Sequence, residues 1–99
     1  MSTRVVIDKD ILGWANDQKS ELSKIYNEII EVGNDKRIPQ RNRDDENAVF
    51  CVKENCDLMT GDKTAYSYFF DSDVKTVQIE KYAWDTNGDK PIYLIKIIK

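Results

Sequence analysis

The last third of the chain constrains the fold most. Val74, Thr76, Gln78 and Glu80 alternate with Lys75, Val77, Ile79 and Lys81, which is the period-2 pattern of a strand. Residues 92–98, Ile-Tyr-Leu-Ile-Lys-Ile-Ile, make a second and stronger strand. Between them runs Trp84-Asp85-Thr86-Asn87-Gly88-Asp89-Lys90-Pro91, whose Asn87-Gly88 pair is a hairpin-turn signal. Asp85, Asn87 and Asp89 also have the spacing of a calcium loop. Lys90 stands where that loop needs Gly and Lys96 where it needs the bidentate Glu, so the segment reads as a turn.

The N-terminal two thirds read differently. Arg4-Val5-Val6-Ile7-Asp8 is a short β-branched run ending in acid, suited to a buried strand, with Asp10–Trp14 as the loop leaving it. Leu22, Ile25, Tyr26, Ile29, Ile30 and Val32 recur at helical spacing, with Asn16 or Asp17 as cap and Gly33-Asn34 as stop. This predicts a helix over 17–32 with Leu22, Ile25, Ile29 and Ile30 buried. Asp44 or Asp45 caps a second helix with Ala48, Val49 and Val52 on one face, ended by Asn55. Cys56–Thr60 reads as a short strand, and a helical turn over 63–70 brings Tyr66, Phe69 and Phe70 to the core. The order strand, helix, loop, helix, strand, hairpin predicts an α/β domain with a mainly parallel central sheet flanked by helices.

At 99 residues the chain is one small domain, spanning 1–99. Ten aromatic residues and a well-spread aliphatic set can fill a core, which excludes intrinsic disorder. Apolar runs fall far short of a membrane span, and MSTRVVIDKD lacks signal-peptide architecture. A soluble, cytoplasmic protein with no membrane partner is expected. There is no histidine, which removes His-dependent triads and nearly every zinc enzyme site, so catalysis here runs on carboxylates, lysines, hydroxyls or a bound ion. The net charge of −3 argues against a broad basic nucleic-acid coat but not against a nuclease, whose site is acidic until a cation neutralises it. Cys51 and Cys56 lack a second ligand pair and diverge around a helix; they read as buried small hydrophobes.

The chemistry lies in where the acids fall. Asp8 ends the first strand, Asp62 follows the strand Asp57–Thr60, and Asp44 opens the intervening helix. In an open α/β sheet, the carboxyl ends of parallel strands form the ligand crevice and helix starts point to the same edge. Crowded carboxylates repel one another, and a hard divalent cation relieves that penalty with the oxygen ligands it prefers. Singly, each acid has an ordinary structural reading: a surface strand end for Asp8, a helix cap for Asp44, a turn for Asp62. The segment 34–43 places Lys36, Arg37, Arg41 and Arg43 together, either as a solvated loop or as a phosphate-contacting one. Asp8-Lys9-Asp10 has an Asp-x-Asp spacing also found in haloacid-dehalogenase-type phosphotransferases, which need a larger fold and further downstream groups.

Val5-Val6-Ile7-Asp8-Lys9-Asp10-Ile11-Leu12 resembles the opening motif of the PIN-domain and PIN-like nucleases, an apolar strand ending in Asp. Asp44 through Ala48 to Cys56-Asp57-Leu58-Met59-Thr60-Gly61-Asp62-Lys63 is similar to that family's later motif. There an acid opens a helix and another follows a hydrophobic-Thr-x-Asp strand end. The resemblance spans about a third of the chain. It implies a small PIN-like fold and a Mg²⁺- or Mn²⁺-dependent ribonuclease. Asp8, Asp44 and Asp62 would be catalytic and metal-binding, with Asp10 and Asp45 assisting. Lys9, Lys63 and the basic segment Lys36, Arg37, Arg41 and Arg43 would contact RNA phosphates. Full-size PIN domains carry a further acid on an intermediate helix, for which Glu28 and Glu31 are the candidates. An antitoxin or a second copy of the chain is a possible partner. The competing expectation is a catalytically inactive PIN-like fold serving as a protein-interaction or nucleic-acid-binding module.

Overall fold

The computed structural model describes residues 3–38, 44–65, 76–85 and 90–98. Strand β1 (Arg4–Ile7) leads through a 3₁₀ turn (Lys9–Ile11) into two short helices, α1 (Leu12–Asp17) and α2 (Lys19–Ile25). Strand β2 (Glu28–Glu31), helix α3 (Asp44–Glu54), strand β3 (Asp57–Thr60) and the long strands β4 (Thr76–Asp85) and β5 (Lys90–Ile98) follow.

The strands form one sheet in the order β2-β1-β3-β5-β4. β1 pairs parallel with both β2 and β3, as expected for strands joined by helical crossovers. β5 pairs antiparallel with β3 and with β4, from Thr76↔Ile98 to Asp85↔Lys90. The expected mainly parallel sheet is thus corrected to a mixed one, antiparallel along most of its length because the β4–β5 ladder is the longest pairing. The Asn87-Gly88 turn lies outside the described residues, as do Tyr66, Phe69 and Phe70.

The largest departure concerns residues 17–32. In place of one helix, the chain breaks at Gln18, leaves the helical region at Tyr26 (φ −114°, ψ 139°) and continues as β2. Ile29 and Ile30 sit opposite Val5 and Val6, so a spacing that suits a helix is used instead for parallel pairing. β-Branched residues favour this, and β2 satisfies the backbone of one side of the interior strand β1. Leu22 and Ile30 are fully buried as expected, Ile29 is half-buried, and Ile25 is 45% exposed. The segment Asp10–Trp14 is likewise helical, not loop.

Helix α3 matches the expected span and ends at Asn55, which takes a left-handed conformation (φ 56°), the usual device for turning out of a helix. Its buried face differs from expectation: Asn47, Ala48 and Cys51 are buried while Val49 is 58% exposed. Cys51 and Cys56 are both buried free thiols, and burial pushes both above the ordinary thiol range.

Two apolar layers sandwich the sheet. On one face Val5, Ile7, Met59, Ile92 and Leu94 pack with Trp14, Ala15 and Leu22 of α1 and α2. On the other, Val6, Ile30, Leu58 and Ile95 pack with Ala48 and Cys51 of α3. Consecutive residues of β1 serve opposite layers, the pleat's period of two made visible. Among the described residues, no helix is long and apolar enough to cross a membrane.

Candidate functional site

Parallel pairing of β1 with β3 sets Ile7 beside Met59, so the residues that follow, Asp8 and Thr60, emerge together at the carboxyl edge. The ladder runs one step further through Asp8 N–H donating to the Met59 carbonyl at 2.9 Å. Asp8 is only 4% exposed. A buried carboxylate needs donors, and two are present. The Thr60 hydroxyl donates to Asp8 Oδ2 at 2.8 Å, and the Lys9 backbone N–H donates to Asp8 Oδ1 at 2.7 Å.

Thr60 is the hinge of the cluster. Its hydroxyl, fully buried, also accepts the Asp62 N–H at 3.1 Å, so one oxygen ties the ends of two segments together. The next residue, Gly61, donates its N–H to Asp10 Oδ1 at 3.3 Å. A side chain on Gly61 would lie 2.9 Å from Asp10 Oδ2 and 3.2 Å from Ile11 Cγ2, so the missing Cβ is what lets Asp10 approach. The carboxylates of Asp8 and Asp10 are therefore seated against consecutive residues of one turn. Sequence reasoning assigned no role to Thr60 or Gly61; the hydrophobic-Thr-Gly-Asp string was the available signal.

Asp62 is at the same edge but is exposed and differently engaged. Its Oδ1 accepts from the Thr64 backbone N–H at 2.9 Å and the Thr64 hydroxyl at 2.6 Å. Those bonds hold its carboxyl below the usual carboxylate range. It thereby caps the short turn 63–65, the structural reading weighed for it above.

The other expected residues divide by location. Asp44 opens α3, and its side chain lies outside the described residues, as do Arg41 and Arg43 entirely. Lys9 and Lys63 are exposed beside the acidic edge. Lys36 is exposed in the loop after β2, and Arg37 is bound up with its own neighbours, 2.8 Å from Asp35 Oδ2 and 3.3 Å from Glu28 Oε2. Asp45 and Arg37 line a hollow of about 430 Å³ along α3 with Glu46, Val49, Phe50 and Lys53. It includes none of Asp8, Asp10 and Asp62. Glu28 and Glu31 lie on a strand and not on a helix. Glu28 starts β2 and pairs with Arg4 at 3.6 Å, whereas Glu31, beside Ile7, is at the carboxyl edge.

Among the described residues, no group of three or more Asp, Glu or Cys side chains is arranged to hold a metal ion. The donors present still fit Mg²⁺ or Mn²⁺ in kind, since Asp8 and Asp10 offer hard carboxylate oxygens on one turn. Mg²⁺ in particular is commonly held by one or two carboxylates with water and substrate phosphate completing the shell. No known family model, curated protein or solved structure matches this chain.

Proposed function

We propose that this chain is a small PIN-like nuclease that cuts RNA with the help of Mg²⁺ or Mn²⁺ at the edge formed by Asp8, Asp10 and Asp62. The observation that carries the reading is the seating of the Asp8 and Asp10 carboxylates against Thr60 and Gly61 at the carboxyl ends of two parallel strands. The ion, when bound, would neutralise phosphate charge and supply an activated water.

The chain's own residues do the positioning. Thr60 and the Lys9 N–H hold Asp8 in one orientation, so its remaining lone pairs are pre-aimed and little ordering is needed when an ion binds. Gly61 leaves room for Asp10 beside it. Lys9 and Lys63, exposed next to the acids, supply positive charge for the flanking phosphates.

The test is cleavage of single-stranded RNA in Mn²⁺ and in chelator, by the wild type and by Asp10→Asn and Asp62→Asn. Both positions are exposed, so folding should be unaffected to within about 0.5 kcal/mol. Cleavage that depends on the ion and falls at least about 100-fold in Asp10→Asn supports the reading, a loss typical of removing a group that organises the reacting charge. A wild type that cleaves no RNA in Mn²⁺, or variants that cleave as well as it does, would overturn it.

A further inference from the structure

The two helical layers create a second feature beside the acids. The connection leaving β1 goes to α1 and α2, which pack on the face carrying Val5, Ile7 and Met59. The connection leaving β2 goes to α3, which packs on the opposite face with Val6, Ile30 and Leu58. The outgoing connections of these two adjacent parallel strands go to opposite faces of the sheet, and their carboxyl ends lie side by side. A cleft of about 230 Å³ lies there, lined by Lys9 and Leu12 from the β1 side and Val32, Gly33 and Asn34 from the β2 side.

The far wall is well held. Gly33 takes a left-handed conformation (φ 94°), and its N–H donates to the Ile38 carbonyl at 2.8 Å. The Asn34 and Asp35 N–H groups both donate to the Glu31 carbonyl, at 3.1 and 3.0 Å. Arg37 clasps Asp35 and holds its carboxyl low, tying down the outer part of the same turn. Gly33 adds no side chain to the crevice, while Asn34 brings an amide whose Nδ2 donates to Glu31 Oε1 at 3.4 Å, leaving its second N–H and its carbonyl oxygen for a ligand. Half-buried Leu12 gives apolar surface, and exposed Lys9, which follows Asp8 and precedes Asp10 in the chain, gives a cation.

We infer that this cleft binds a single nucleotide, with the phosphate at Lys9, the base edge at the Asn34 amide and the sugar or base face on Leu12. At about 230 Å³ the open cleft falls below the roughly 300–1,000 Å³ of pockets that enclose a whole small ligand, so it takes one nucleotide unit at most. The choice of a nucleotide rests on the nuclease reading: a strand with one residue in the cleft would run its next phosphate past Asp8 and Asp10. The cleft would then fix which linkage of the RNA meets the acids.

The experiment is an amide NMR titration of the intact protein in EDTA, where no cleavage occurs. Adenosine and uridine 5′-monophosphates, the nucleosides and inorganic phosphate serve as separate probes. Shifts centred on Lys9, Leu12, Gly33 and Asn34, stronger for the monophosphates than for nucleoside or phosphate alone, are expected. Lys9→Gln and Asn34→Ala should each weaken monophosphate binding roughly tenfold, the scale of one lost charge-assisted or amide contact, with an unchanged melting curve. Should Lys9→Gln not fold, Asn34→Ala at an exposed turn residue still reads the cleft. Shifts mapping elsewhere, binding untouched by Asn34→Ala, or phosphate alone binding as tightly as the monophosphates would each overturn the inference. Monophosphate binding at the cleft in a protein that cuts no RNA would uphold the inference and overturn the nuclease reading. RNA cleavage without monophosphate binding would do the reverse.

Discussion

Thr60→Val is the sharpest probe of how the acidic edge is built. Thr60 is fully buried, its hydroxyl donates to Asp8 Oδ2 at 2.8 Å, and Asp8 is itself 4% exposed. Valine keeps the shape and removes that one donor. A hydrogen bond to a charged group is worth about 1.5–3 kcal/mol, and the added methyl surface offsets about 0.8 kcal/mol of the loss. The Asp62 N–H also loses its acceptor, but Asp62 is exposed and water can replace it. The net loss is about 1–2 kcal/mol at neutral pH, or about 5–15 °C in Tm for a domain of this size. Thermal and urea melts measure it directly. A double-mutant cycle with Asp8→Asn then isolates the pair and should give a coupling of about 1–2 kcal/mol, since the two side chains touch. A Thr60→Val protein within about 0.3 kcal/mol of the wild type, or a cycle that is simply additive, would refute the idea that Thr60 holds Asp8 in place.

Three further outcomes are expected. Gly61→Ala would put a methyl 2.9 Å from Asp10 Oδ2; the exposed carboxylate should swing away, lowering Mn²⁺ affinity in calorimetry while stability changes by no more than about 1 kcal/mol. Ile30→Ala should lose about 2–5 kcal/mol in urea unfolding and Ile25→Ala under about 0.5 kcal/mol, whereas equal losses would restore a continuous helix over 17–32. Tyr26→Phe removes the hydroxyl that donates to buried Asp57 Oδ2 at 2.9 Å and should cost about 1.5–3 kcal/mol at pH 7. Burial, and then the Asp57 charge, raise the Tyr26 phenol in the folded protein above its unfolded value of about 10. Its contribution is therefore complete below pH 10 and fades as pH climbs above it. The wild type should lose stability over pH 10–12 more steeply than Tyr26→Phe, and parallel pH profiles would contradict this linkage.

The sequence by itself determined the elements whose signals are local. Val5-Val6-Ile7 is a buried strand on composition alone, α3 ends at Asn55, the β4 pattern alternates, and β5 is a nearly continuous apolar run. The acid at the end of β1 and the one just past β3 were legible for the same reason, because a strand end is a local property. Tertiary structure decided the rest. Ile29 and Ile30 satisfy a helical and an extended pattern equally well, and only the open side of β1 selects the strand. Asn47 and Cys51 face the core, and Val49 solvent, because α3 is turned by what packs on the sheet, not by its own apolar spacing. The bonds of Asp8 to Thr60 and of Asp10 to Gly61 join residues about fifty positions apart, separations that no local pattern encodes. They exist because parallel pairing brings two strand ends level, and that register is a property of the folded sheet.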